Sequence, residues 1–420
     1  MIRRRGAGRE ANGPGSGSGA GDEWTPFRSG PKTAKLTGQP RPLNQSTGPS
    51  RSPASGITTR KVEETQLDDK NRQDVLSLLP DELRDRLRDH FTRRDQPAYR
   101  VDQTVGWIYG AGPSGFHAMT NLPAAEREAL EANFRFQEPE VARISKARDG
   151  TAKFLWRLTG GELVESVLIP SRSRLTLCIS SQAGCAMGCT FCATGWAGFD
   201  RQLTAGEIVA QYRATLRWAA DEAYGPITNV VYMGMGEPLA NRKAVHPSLT
   251  ILNQGFELGA RRITVSTVGV VPGILELADR PEQFELALSL HAPEPELRAQ
   301  LIPLEQRYPL PSLMEALKTY QARGGRRITF EYTMIRDVND APELAVTLAD
   351  LAREIRAFVN LIPFNPIPFQ DWRPSSDQRI EEFRRILERA GVSVQVRTPR
   401  GREIEAACGQ LRADAEAGLR

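Results

Sequence analysis

Six apolar, strand-like runs alternate with helical segments over residues 174–390, and this alternation restricts the fold more than any other feature. Strands that follow one another through helices form a parallel sheet with crossover helices. Six such units are two short of a closed eight-stranded barrel. The sequence therefore predicts an α/β fold, a partial (β/α)6 barrel that is open on one side to a macromolecular substrate. The strand-like runs are Leu175–Ser180, Ile227–Met233, Ile263–Thr267, Leu286–Leu290, Ile328–Ile335 and Phe358–Phe364, and the main helical segments are Thr204–Ala220, Pro311–Gln321, Ala341–Arg356 and Ser376–Ala390.

Three of the five cysteines, Cys185, Cys189 and Cys192, fall within eight residues and offer three thiolates to one metal site. An electron-carrying cubane cluster uses four cysteines, so three leave one iron free for a small chelating ligand. A structural zinc site usually adds a second Cys or His pair, and no such pair is visible, although buried cysteines also occur as small apolar residues. The spacing favours an iron–sulfur cluster, with a zinc-stabilised, non-catalytic module as the alternative. So few cysteines indicate a reducing, cytoplasmic setting rather than a disulfide scaffold.

The chain divides by composition into four predicted parts. Residues 1–65 form a disordered tail, and the first 60 contain 11 Gly, 7 Pro, 10 Arg or Lys and 3 Asp or Glu. Residues 66–138 form a small helical domain, 139–170 a β extension, and 171–411 the barrel core with a C-terminal cysteine segment. The first 60 residues alone carry a net charge of 10 − 3 = +7, which exceeds the net charge of +4 of the whole chain. The basic character therefore resides in the tail. A basic tail attracts nucleic acid, and an idle solvated tail is an equally good interpretation.

The predicted helical domain mixes basic and aromatic side chains in a way that suits RNA. Arg93, Arg94 and Arg100 flank Trp107 and Tyr109. Such arginines are also typical of an ordinary solvated helix face, so both interpretations stay open. No apolar stretch approaches the 18 residues of a membrane span, and we expect no membrane association.

Polar residues and glycines lie at the ends of four predicted strands. Each of them alone could be a turn residue. Together they predict a rim that lines a ligand site, because α/β folds place their sites at the carboxyl ends of the strands. The members are Gly236 and Glu237 in a glycine-rich turn, Ser266, the run Ser289, Leu290 and His291, and Asn365.

Five sequence segments resemble one family. The cysteine triplet, with Phe191 before its last member, resembles the signature of the radical S-adenosyl-L-methionine (SAM) superfamily. The wider sequence resembles the RlmN family of dual-specificity radical SAM RNA methyltransferases from about residue 73 to 411. The matching segments are residues 178–185, 232–239, 286–293, 360–366 and 406–411.

The resemblance implies cofactors, substrates and roles for individual residues. A 4Fe-4S cluster would sit on Cys185, Cys189 and Cys192, with SAM bound by the strand-end rim, and the substrates would be an adenine of 23S rRNA and of tRNA. A first SAM would methylate Cys408, and a second would yield the radical that activates this methyl group for bonding to adenine C2. Glu165 would accept the C2 proton, and Cys178 would release the product through a transient disulfide. An electron donor such as flavodoxin or ferredoxin and a cytoplasmic monomer are expected.

A homologous class that methylates C8 of the same rRNA adenine shares these cysteines. It remains an alternative to C2 methylation at this point. The zinc-stabilised RNA-binding module is the more distant alternative, and it would leave Cys178 and Cys408 without a task.

Overall fold

The computed structural model of the chain describes residues 72–413. The predicted tail of residues 1–65 lies outside the described residues. The predicted domain boundaries at residues 66–138, 139–170 and 171–411 remain a proposal. No helix in residues 72–413 is long and apolar enough to cross a membrane.

Three helices form the N-terminal region, as the sequence predicts. They are α1 (Pro80–Thr92), α2 (Tyr99–Tyr109) and α3 (Ala124–Asn133). Two short strands, β1 (Gln73–Asp74) and β2 (Phe134–Arg135), pair in parallel and join the ends of the region. Proline at the first position of α1 suits a helix start, because the missing N–H would have no partner there. These helices share a hydrophobic core that also includes Val209, Ala210 and Ile251 from the following region.

The predicted RNA-facing cluster of this region is partly engaged in internal contacts. Arg94 donates to both carboxylate oxygens of Glu126 at 2.8 and 2.9 Å. The ring of Tyr109 packs edge-on against Phe256 with centroids 5.0 Å apart, at the junction with the main sheet. Both residues therefore contribute to the stability of the region, and neither extends freely from the surface.

A single ten-stranded sheet forms the centre of the molecule, in the order β14-β13-β12-β11-β10-β9-β6-β5-β4-β3. A separate antiparallel pair, β7 with β8, follows β6 along the chain. The strands after the first two are β3 (Glu140–Lys146), β4 (Ala152–Arg157), β5 (Leu163–Ser171), β6 (Arg174–Cys178), β7 (Gln182–Gly184), β8 (Phe199–Gln202), β9 (Asn229–Tyr232), β10 (Ile263–Thr267), β11 (Glu285–Ser289), β12 (Thr329–Met334), β13 (Phe358–Pro363) and β14 (Val394–Val396). The remaining helices are α4 (Ala193–Ala197), α5 (Ala205–Asp221), α6 (Arg242–Thr250), α7 (Val271–Ala278), α8 (Pro295–Leu301), α9 (Leu310–Ala322), α10 (Pro342–Glu354) and α11 (Asp377–Arg389).

The six predicted strands correspond to β6 and β9 to β13, which pair in parallel and so confirm the partial barrel. The sheet is nevertheless larger than the sequence predicts. A seventh parallel strand, β14, extends it beyond β13. The predicted β extension forms three antiparallel strands, β3 to β5, that continue the same sheet beyond β6. Because the strands β9 to β13 are parallel, their carboxyl ends meet at one edge, where the predicted rim lies.

A buried arginine on α5 connects the helical region to the sheet. The Arg213 side chain donates through Nε to the carbonyl of Ile108 at 2.8 Å and forms an ion pair with Glu138. Arg217 binds the same carboxylate at 2.8 Å. Burial favours the neutral carboxyl of Glu138, but the charges of Arg213 and Arg217 outweigh it and hold the pKa below its ordinary value.

We expect Arg213→Met to destabilise the protein by about 3–5 kcal/mol, because it leaves the buried Glu138 carboxylate with only the more exposed Arg217 as a cationic partner and removes the side-chain donor of the Ile108 carbonyl. Arg217→Met is the matched control: its side chain is more exposed and Arg213 still neutralises Glu138, so the loss should stay near 1 kcal/mol. Urea denaturation followed by tryptophan fluorescence measures both. Equal losses in the two variants would contradict the structural role of Arg213.

Candidate active site

The loop that carries the three clustered cysteines connects β7 to α4 and is fixed by backbone hydrogen bonds. The Cys185 N–H donates to the carbonyl of Gly198 at 2.6 Å, and the Thr190 N–H donates to that of Leu301 at 3.0 Å. Gly184 precedes the loop with φ +75°, and a Cβ there would lie 2.2 Å from the Gly198 oxygen, so this position requires glycine. Backbone hydrogen bonds and Gly184 therefore fix where the loop leaves β7 and where it meets the end of α8.

The thiols of Cys185, Cys189 and Cys192 line the same cavity. Burial raises the pKa of the Cys185 thiol to about 12 and that of Cys189 well above its usual value, and the neighbouring cysteines add to the effect. Bound iron would reverse this, because a coordinating thiol loses its proton. Within residues 72–413 no three His, Cys, Asp or Glu side chains are arranged to hold a single metal ion. Three thiols that line one cavity are a donor set that fits a 4Fe-4S cluster with one iron left for another ligand.

The cavity has a volume of about 1030 Å³ including the solvent at its mouth, large enough for a nucleoside-sized cofactor. One side is the cysteine loop, and the opposite side consists of residues at the carboxyl ends of the strands. The predicted residues that line it are Cys185, Cys189, Cys192, Gly236, Glu237, Ser266, Ser289, His291, Asn365 and Cys408.

Gly236 and Glu237 form a fixed turn after β9. Gly236 has φ +95°, and a Cβ there would lie 2.5 Å from Cβ of Gln182. The Glu237 N–H donates to Oε1 of Gln182 at 2.7 Å, and its carboxylate oxygens accept from the N–H groups of Leu239 at 3.0 Å and Val268 at 2.9 Å. Burial raises the pKa of Glu237 to about 7. The Thr267 side chain is a third hydrogen-bond partner of this carboxylate, whose two oxygens can accept about four bonds, so a bound ammonium group would find an oriented acceptor and favour its ionised form.

Replacing Glu237 should weaken SAM binding, if its carboxylate receives the ammonium group of the methionine part. We expect Glu237→Ala to lose about 1.5–3 kcal/mol of binding free energy, or roughly ten- to a hundredfold in affinity. Glu237→Gln keeps one oxygen as an acceptor for a backbone N–H and removes the negative charge. It therefore tests the contribution of the charge to SAM affinity separately from that of the turn conformation. Equilibrium dialysis with SAM measures affinity, and iron analysis checks the cluster. Unchanged affinity in both variants would remove Glu237 from the SAM site.

His291 is buried, and its ring is held in one tautomer. The backbone has φ +55°, and Nδ1 accepts from the N–H of Thr333 at 3.0 Å. Burial lowers the pKa of His291 to about 3, so the ring is neutral and carries its proton on Nε2. The ring meets Phe191 edge-on with centroids 4.3 Å apart. The aromatic residue before the last cysteine thus connects the cysteine loop to the strand-end rim.

Cys408 reaches the cavity because its segment is attached to both walls. Nδ2 of Asn365 donates to the Cys408 carbonyl at 3.1 Å. The Ala193 N–H, directly after the last clustered cysteine, donates to the carbonyl of Gly409 at 2.7 Å. The hydroxyl of Thr194 donates to the carbonyl of Leu411 at 2.5 Å. The C-terminal cysteine is therefore held beside the cysteine loop, although more than two hundred residues separate them in sequence.

Cys178 lies at the end of β6. Cys178 and Cys408 line a second, smaller cavity that shares Met233, Ile362 and other residues with the first. Burial, with the neighbouring Cys408, raises the pKa of the Cys178 thiol to about 12. All five cysteines of the chain lie within residues 72–413 and are free thiols, so the predicted disulfide is not present in this structure.

Glu165 and Leu290 line neither cavity. The Glu165 carboxylate forms an ion pair with Lys153 at 3.0 Å and accepts from the N–H groups of Arg412 at 2.8 Å and Ala413 at 3.0 Å. The Leu290 side chain is fully buried, and its N–H donates to the carbonyl of Glu331 at 3.1 Å. Neither side chain contacts the cavity space, and the roles implied for both residues stay predictions.

Two charged residues of the cavity wall were not among the sequence predictions. Glu331 on β12 is buried, which raises its pKa, and it accepts from Nδ2 of Asn360 at 3.0 Å. Arg397 follows β14 and lies beside Cys408, Glu331 and Cys178. Arg397 directly follows strand β14, and the three residues of this strand are too few for a sequence pattern to predict it.

The chain matches known proteins along most of its length. A family model described as the radical SAM superfamily matches residues 179–349, and one described as a ribosomal RNA large subunit methyltransferase N-terminal domain matches residues 79–135. A crystal structure of a radical SAM methyltransferase from Sphaerobacter thermophilus superposes with a TM-score of 0.77 at 44% identity, covering 81% of this chain and 100% of that chain. The partial barrel and its cysteine-lined cavity are thus those of a radical SAM enzyme, which uses a 4Fe-4S cluster and SAM.

Curated relatives define the family more closely. The probable dual-specificity RNA methyltransferase RlmN of Gemmatimonas aurantiaca is 48% identical over 343 residues, covering 81% of this chain and 93% of the relative. The dual-specificity RNA methyltransferase RlmN of Pseudomonas putida (strain W619) is 45% identical over 325 residues, covering 74% and 84%. The chain belongs to the RlmN family of dual-specificity RNA methyltransferases. The family membership confirms the resemblance and does not favour a non-catalytic zinc module.

Proposed function

We propose that this enzyme methylates C2 of an adenine in 23S rRNA and in tRNA through a methyl group carried on Cys408. The observation that carries the proposal is the place of Cys408, which lines both the cavity of the three clustered cysteines and the smaller cavity that Cys178 lines. A carrier thiol and a releasing thiol are both needed for such a route, and Cys408 and Cys178 line the smaller cavity together.

The cluster would be held through three of its irons by Cys185, Cys189 and Cys192. The amino and carboxyl groups of SAM would bind the fourth iron. When bound, the reduced cluster and SAM supply a 5′-deoxyadenosyl radical, chemistry that belongs to the cofactor rather than to any side chain. Glu237 would orient the methionine part through its fixed carboxylate. The opposite wall of the cavity offers hydrogen-bonding groups from Ser266, Ser289, neutral His291 and Asn365.

Cys408 would present its sulfur to the cavity while its backbone stays attached to Asn365 and α4. Its thiolate is the nucleophile that accepts a methyl group from the first SAM. Once the methyl carbon has bonded to adenine, Cys178 would attack the Cys408 sulfur, which releases the RNA and leaves a disulfide. Glu165 remains our proposed proton acceptor at C2, and Glu165→Gln should then slow turnover without loss of Cys408 methylation.

The electron donor, the compartment and the oligomeric state of the enzyme are proposed as well. A flavodoxin- or ferredoxin-type protein would reduce the cluster, because amino-acid side chains do not donate electrons at the low potentials of such clusters. Five free thiols and an iron–sulfur cluster favour the reducing cytoplasm. We propose that the enzyme acts as a monomer.

Mass spectrometry of nucleosides from a deletion strain tests the proposed function. The 2-methyladenosine of 23S rRNA and of tRNA should disappear in the deletion strain and return with the wild-type gene. The Cys408→Ala gene is the matched control and should restore neither. Retention of 2-methyladenosine in the deletion strain would contradict the proposal, and loss of 8-methyladenosine instead would identify the C8 alternative.

A further inference from the structure

Arg397 lies where the two cavities meet. Its side chain lines both of them. Its backbone N–H donates to the carbonyl of Leu361 at 2.8 Å, one residue beyond the paired part of β14 and β13. The position is therefore fixed by the edge of the sheet, and the guanidinium extends from it towards the two cysteines that approach from other elements.

The surroundings of this guanidinium contain two thiols and one carboxyl group. Its electrostatic neighbours are Cys408, Glu331 and Cys178. Arg400 also lines the smaller cavity, but its charge is directed towards Asp149 at 3.8 Å. Arg402 donates to Oδ1 of Asn365 at 3.0 Å. Among these three arginines, Arg397 is the one that lines both cavities together with Cys408.

A buried cation beside a thiol favours the thiolate, whereas burial alone favours the neutral thiol. The effect of burial is visible at Cys178, whose pKa is raised to about 12 by burial, with Arg397 acting in the opposite direction. The charge of Cys408 in turn raises the pKa of Arg397. The guanidinium thus stays protonated and supplies a permanent positive charge at the sulfur.

We propose that Arg397 is a positioning residue that stabilises the thiolate of Cys408 for its methylation by SAM. The inference rests on the proposed function. In this step the thiol first loses its proton to solvent. A lone pair of the thiolate then attacks the methyl carbon of SAM, the bond between that carbon and the sulfonium sulfur breaks, and S-methylcysteine and S-adenosylhomocysteine result.

The test measures methyl transfer to Cys408 in unmethylated holoenzyme, reconstituted with iron and sulfide and mixed with SAM without RNA. Peptide mass spectrometry follows the gain of one methyl group on the Cys408 peptide between pH 6.5 and 9.5. We expect Arg397→Met to be at least about tenfold slower at pH 7 and to approach the wild-type rate at the highest pH, because the thiolate fraction then no longer depends on the cation. Arg397→Lys keeps a charge and should stay within about threefold of wild type.

The pH profile separates this role from a packing role. A loss of equal size at every pH, or an unchanged rate, in Arg397→Met would overturn the inference. Iron content and melting temperature show whether the variant is folded, and if it is not, Arg397→Gln replaces it with the same expected profile. If wild-type enzyme never gains a methyl group on Cys408, the proposed function itself fails. If wild type is methylated and the charge-free variant behaves identically, the inference about Arg397 alone fails.

Discussion

Cys178→Ala enzyme accumulates a covalent complex with RNA, joined through Cys408. This is the expected result because the task proposed for Cys178 begins only after the methyl carbon has bonded to adenine. The buried thiol at the end of β6 lines the same small cavity as Cys408, and no third cysteine in residues 72–413 lines that cavity. Without it the adduct has no route of release, and turnover should fall by at least about a hundredfold.

A denaturing gel of anaerobic reactions with labelled RNA measures this outcome. A shifted band should appear with Cys178→Ala, and it should be absent with Cys408→Ala and with the double variant, because neither can carry the methyl group. Iron content and SAM cleavage should remain near wild type in Cys178→Ala, since this side chain does not line the larger cavity. Normal turnover without a shifted band would make Cys178 a packing residue and would contradict the proposed release step.

Local sequence patterns predicted a large part of this molecule. The six parallel strands and the cysteine triplet are visible because each depends on residues close together in the chain. The strand-end rim could be predicted because parallel strands bring their carboxyl ends to one edge. Leu290 shows the limit of this reasoning: the pattern places it at a strand end, but its side chain is directed into the core.

Long-range contacts were beyond the sequence. The Glu165 carboxylate binds the backbone of Arg412, and no pattern in either segment indicates a pairing across that separation. Strand β14 was missed because three residues carry almost no periodicity, and Arg397 was missed with it. Glu331 lies within a predicted strand, where a lone carboxylate is usually exposed, so its buried place in the cavity wall needed the structure.

Cys189→Ala should lose the iron–sulfur cluster while the fold remains. Two thiolates cannot hold four irons, so we expect iron to fall from about four per chain to below one and SAM cleavage to disappear. Cys189 is the most buried of the three clustered cysteines, and its loop is fixed by the backbone bonds of Cys185 to Gly198 and of Thr190 to Leu301. The small change from thiol to methyl should therefore leave the melting temperature of the metal-free protein nearly unchanged.

The matched control is Cys178→Ala, which removes a thiol of similar burial outside the cluster loop. Anaerobic purification, iron analysis and the visible absorption spectrum of both variants decide the assignment. If the cysteine triplet alone holds the cluster, Cys189→Ala loses its iron and Cys178→Ala retains it. A Cys189→Ala protein with full iron and SAM cleavage would show that another residue completes the site. Equal iron loss in both variants would mean that the cluster depends on packing around the cavity rather than on three specific ligands.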